Sequence, residues 1–73
     1  MRKHCRIRQG AFGRWYIFHA IFDFAAWSGS RWAPCLGNGL PAADVQTSNF
    51  DTREAALACA TSQGFDVDRE LAS

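Results

Sequence analysis

The 73-residue chain lacks most of what would tie it to a known chemistry. Its longest apolar stretch, residues 15–27, is interrupted by His19 and Asp23 and falls short of the ~20 residues that cross a bilayer. A transmembrane helix is excluded, and no membrane partner is expected. Cys5, Cys35 and Cys59 are odd in number and widely spaced, with no Cys-x-x-Cys pair. That pattern indicates neither a disulfide framework nor a local zinc site, and it predicts free thiols in the cytoplasm. The basic start, residues 1–6, has no apolar run or cleavage site after it and reads as part of the mature domain. A formal net charge of +1 excludes a simple nucleic-acid-binding polycation.

Catalytic constellations are equally scarce. On an extended strand His19 and Asp23 would stand roughly 13 Å apart, too far for a direct acid–base pair. Cys59 lies among alanines and reads as a small core residue, and Cys5 is the cysteine nearest positive charge. The glycines of Gly37-Asn38-Gly39 have no following Lys-Ser/Thr, so they mark a turn rather than a phosphate loop. The chain is therefore expected to be no enzyme and to need no cofactor or metal.

What is present is concentrated. Eight of the ten aromatics lie within residues 12–32. Charge is also divided: residues 1–36 carry Arg2, Lys3, Arg6, Arg8, Arg14 and Arg31 against Asp23 alone, whereas residues 37–73 carry six acids against Arg53 and Arg69. A domain this small buries only about 60% of the surface its unfolded chain exposes. The aromatic block must then form most of the core, or a partner must cover part of it.

Residues 3–8 and 14–25 alternate as strands, separated by the glycines at 10 and 13. In the second, Tyr16, Phe18, Ala20, Phe22 and Phe24 share one face, and Trp15, Ile17, His19, Ile21 and Asp23 the other. A turn at 27–30 leads to a short strand at 31–36, where Pro34 belongs on an edge or at a bulge. Residues 45–49 read as a further strand. Asp51 or Thr52 can cap a helix over 52–63, with Glu54 in capping-box register with Asp51 and Gly64 as its left-handed stop. Residues 66–73 form a tail or a short strand. The expected fold is a single α+β domain, a three- to four-stranded antiparallel meander with one helix across one face.

Two segments carry a resemblance. Residues 7–15, Ile-Arg-Gln-Gly-Ala-Phe-Gly-Arg-Trp, resemble the start of the plant ethylene-response-factor type DNA-binding domain, and residues 50–56, Phe-Asp-Thr-Arg-Glu-Ala-Ala, resemble its approach to the helix. The arm-binding domains of tyrosine integrases are similar in outline. The resemblance implies a three-stranded sheet laid in the major groove, with Arg8, Arg14 and Trp15 at basic or aromatic contact positions. Gly10, Phe18 and Ala20 stand where that family carries charged contacts. This supplies one functional expectation, a sheet-type DNA binder using Arg6, Arg8, Arg14, Trp15 and Arg31.

The leading expectation comes from area. One helix covers one face of a sheet, and the strand from Trp15 is apolar on both. If Tyr16, Phe18, Phe22 and Phe24 pack under the helix, then Trp15, Ile17, Ile21 and Trp27 form a patch edged by Arg14, His19, Asp23 and Arg31, the composition of a protein-binding hot spot or a homodimer interface. The alternative is that the hairpin arm and the C-terminal residues fold over that face. Small domains without catalytic motifs are often phage or mobile-element factors that inhibit a larger host protein or protein–nucleic-acid complex, defence complexes of the CRISPR kind included. The expected function is thus a non-catalytic binding module of that inhibitor type.

Overall fold

The alternation of residues 3–8 produces β1 (Lys3–Gln9), the first strand of a computed structural model that describes residues 3–67. A single 3-10 turn (Ala11–Gly13) reverses the chain into β2 (Trp15–His19), antiparallel to β1 with Ile7 opposite Ile17 and Cys5 opposite His19. The long strand predicted over 14–25 stops at His19. The imidazole Nδ1 of His19 accepts the backbone N–H groups of Ile21 (3.1 Å) and Phe22 (3.4 Å), which withdraws both amides from any ladder. The chain turns over residues 20–24 and returns as β3 (Ala25–Trp27), with Ala26 opposite Phe18.

Ser28 closes the next turn, its hydroxyl donating to the Arg31 carbonyl at 2.7 Å, and β4 (Trp32–Pro34) follows antiparallel to β3. β4 is an edge strand of the sheet, where Pro34 was expected. The strand predicted at 45–49 shrinks to β5 (Asn49–Phe50), which pairs with Trp15 and Tyr16 on the edge of β2 that β3 uses further along.

The helix α1 (Arg53–Ser62) forms where its composition predicts. Thr52 is the cap, its Oγ1 accepting from the Ala55 N–H at 3.1 Å, while Asp51 pairs with Arg14 instead. Gly64 takes the left-handed φ of +87° that ends the helix and releases the chain into β6 (Phe65–Val67). β6 runs parallel to β1, so the sheet is mixed, in the order β4-β3-β2-β1-β6 with β5 on β2, rather than an antiparallel meander. The α+β class stands, with six strands and one helix among the described residues. The predicted tail beyond residue 67 lies outside the described residues. Among the described residues no helix is long and apolar enough to cross a membrane.

Two clusters fill the two faces. Cys5, Ile17, Trp27 and Phe65 pack against Ala56 and Ala60 of the helix, with Ile7, Trp15, Trp32, Phe50 and Cys59 around them. On the opposite face lie Tyr16, Phe18, Ala26 and Cys35. The helix therefore covers the odd-numbered face of β2. The condition on which the docking patch rested, Tyr16, Phe18, Phe22 and Phe24 under the helix, is not met. Small helix residues approach the sheet closely enough for the Trp27 ring to fill the remaining gap, meeting Phe65 edge-on at 5.0 Å between ring centres.

Candidate functional site

The reversed faces rearrange the predicted docking patch. Ile17 and Trp27 are buried beneath the helix and offer no surface. Trp15 is half-buried against the same cluster. Arg14 is engaged by Asn49 and Asp51 on its own molecule. Arg31 is exposed on the turn between β3 and β4. His19 is half-buried at the end of β2, its ring 5.0 Å from Trp32 and 5.1 Å from Phe22. Of the predicted patch and its rim, Ile21, Asp23 and Arg31 are open to solvent.

The set expected for a DNA interface is likewise split. Arg6 and Arg8 stand opposite Phe18 and Tyr16, hence on the loop-covered face, while Trp15 lies on the helix face. Both arginines converge on one carboxylate. Arg6 binds Asp23 and also donates to the His19 carbonyl at 3.1 and 3.2 Å. Arg8 reaches Asp23 at 3.1 Å, with its guanidinium carbon 4.8 Å from the centre of the Phe18 ring. The hydrogen bond and charge of Arg6, with the charge of Arg8 beside it, hold the Asp23 carboxyl below the usual carboxylate range. Asp23 thus sits on a turn among cations, not on a strand face with His19.

The second face is closed by the chain between Cys35 and Thr47. The Ala11 N–H donates to the Asn38 carbonyl at 2.8 Å, and the buried Thr47 hydroxyl donates to the Gly39 carbonyl at 2.6 Å. Gly39 lies against the Tyr16 ring with a φ of +93°, so close that a Cβ there would stand 2.6 Å from the ring. Cys35 is buried beneath this cover, and burial pushes its thiol up. The charge of Arg8 acts on the Cys35 thiol in the opposite direction to its burial.

Among the described residues, the large apolar surface left open joins Ile21 of the predicted patch to Phe22 and Phe24, which strand parity had placed under the helix, and to Leu36. Ile21 is 76% exposed, Phe22 61% and Phe24 68%, all on the turn at 20–24, and Leu36 is 50% exposed. A glycine Cβ at position 37, next to Leu36, would lie 3.9 Å from Phe24. Phe12, 86% exposed, sits on the β1–β2 turn at the far end of β2 with a left-handed φ of 60°. Yet the turn at 20–24 is not loosely held. His19 takes two of its amides, Arg6 and Arg8 grip Asp23, and the Cys35 N–H donates to the Phe24 carbonyl at 2.9 Å.

A signal for this turn was present in the sequence. A twelve-residue strand is about twice the usual length, and His and Asp are side chains that accept backbone N–H groups in turns. Two such residues four positions apart mark a break better than they mark an acid–base pair. Among the described residues no three His, Cys, Asp or Glu side chains gather as a metal site would require. Comparison with known proteins found no matching family model, no matching curated protein and no matching solved structure.

Proposed function

We propose that the chain is a non-catalytic protein-binding module that docks through the turn at 20–24 together with Leu36. The observation that carries this reading is the exposure of Ile21, Phe22, Phe24 and Leu36 on a turn that neighbouring side chains hold in place. Leaving such groups in water forgoes about 1.5–3 kcal/mol of burial for each, which a partner recovers. A rigid turn also loses little conformational entropy on binding. The Arg6–Asp23–Arg8 cluster borders the turn as a charged rim, the arrangement in which apolar anchors dominate affinity and rim charges steer encounter. The partner is a larger protein or a protein–nucleic-acid complex, and inhibition by occupying its surface is the activity such a module performs.

The test is affinity capture from the source cell, followed by reconstitution with the purified protein that is captured. Replacing Phe22 and Phe24 together by Ser should weaken that complex by tenfold or more, as loss of a hot spot does. Phe12→Ser should leave it unchanged. Undiminished binding by the double variant overturns the proposal. So does micromolar binding to duplex DNA that weakens steeply with salt and is lost in Arg8→Ala, the behaviour of phosphate contacts.

A further inference from the structure

We propose that His19 is a pH-sensitive latch, holding the apolar turn in its docking shape when neutral and releasing it when protonated. The inference concerns the regulation of the surface just described, and it rests on that reading only for its biological consequence. The latch itself belongs to the free chain.

The geometry is specific to one protonation state. Nδ1 accepts from two backbone donors, Ile21 N–H at 3.1 Å and Phe22 N–H at 3.4 Å. A neutral imidazole does this only with its proton on Nε2, because the accepting nitrogen must keep its lone pair. Protonation removes the lone pair and turns an N–H toward two others. The turn then loses both bonds where it leaves β2, immediately before the exposed Ile21 and Phe22 side chains.

Among the described residues, no carboxylate is paired with the His19 ring. From β1, the cross-strand neighbour is the Cys5 thiol, and the Arg6 guanidinium lies on the His19 carbonyl. From the turn, the Asp23 carboxylate is directed to Arg6 and Arg8. From β4 comes the Trp32 ring, and Asp66 of β6 stands in register with His4, a position on β1 that faces the other side of the sheet. The rings of Phe22 and Trp32 can accompany either form of the imidazole, so the two amide donors decide which form the folded turn accepts.

The experiment is an NMR titration of the whole chain from roughly pH 8 to pH 5, the range over which histidine changes charge. The neutral His19 ring is expected as the Nε2–H tautomer. The Ile21 and Phe22 amide resonances should move with the same midpoint as the His19 ring carbons, and their exchange protection should drop about tenfold across it, as two hydrogen bonds of ordinary net strength imply. In His19→Asn, whose Oδ1 stands where Nδ1 did without titrating, both amides should stay in place. A neutral ring protonated on Nδ1, amides that ignore the ring titration, or a titration that persists in His19→Asn each overturns the latch. The wild-type arms decide the matter even if the Asn variant does not fold. Because they need no partner, failure of the latch is distinguishable from failure of the docking surface, which the Phe22 and Phe24 variants read separately.

Discussion

The two faces of this sheet are closed by opposite means. On one, a helix lays Ala56 and Ala60 against Cys5, Ile17, Trp27 and Phe65. On the other, a segment without regular structure covers Tyr16 and Phe18, tied down by the Asn38 and Gly39 carbonyls and by glycine contact with the Tyr16 ring. A helix satisfies its own backbone groups, so what matters in such a cover is the size of its side chains. A loop must find a partner for each buried N–H and C=O in turn, so its cover depends on particular bonds and on where backbone can approach. The helix side should therefore respond to volume and the loop side to conformation.

The sharpest way to break that contrast is Gly39→Ala. The added methyl meets the Tyr16 ring and the residue is held at a φ of +93°, so overpacking and backbone strain act together. A loss of about 3 kcal/mol is expected, read as a fall in the urea midpoint of unfolding. A milder loss would mean that the loop does not rest on Tyr16. The matching probe of the helix face is Ala60→Leu, expected to cost about 2 kcal/mol by overpacking, against a change within about 0.5 kcal/mol for Ala58→Leu on the exposed side of the same helix. Equal effects at 58 and 60 would remove the claim that helix volume governs that face.

The smallest effect concerns the rim of the exposed turn. The Asp23 carboxyl is held below its ordinary value when folded, so it contributes stability above the ordinary carboxylate range. That contribution is lost as pH falls through the lowered value, because there the unfolded chain takes up the proton first. Denaturation midpoints followed down through the acid range should thus decline less steeply in Asp23→Asn than in the wild type. A decline of the same steepness would show that the Arg6–Asp23–Arg8 cluster does not couple to folding.

Much of the fold was legible where the signal is local. The run of helix formers after Thr52, its hydroxyl cap, Gly64 and the edge position of Pro34 depend on a few adjacent residues, and each stands where it was expected. The candidate site was misread because period-2 alternation continues in the sequence through residues 20–24 although the ladder does not. Phe18 and Phe22 look equivalent by parity, yet one is buried and the other 61% exposed. Two hydrogen bonds from the Ile21 and Phe22 amides to His19 mark the break in the ladder, and alternation carries no trace of them.

By itself the sequence determined the α+β class, the single helix with its ends, and the concentration of aromatic side chains in one part of the chain. Tertiary structure decided which face of β2 the helix covers and which aromatics remain in water. The reason lies in connectivity. β5 and β6 both run parallel to β1, so β5, α1 and β6 form a crossover over β2 and β1. Crossovers of this kind are right-handed in nearly all proteins, which leaves one face of the sheet open to the helix. Residue parity divides the side chains between two faces, but only the parallel return of β6 tells those faces apart.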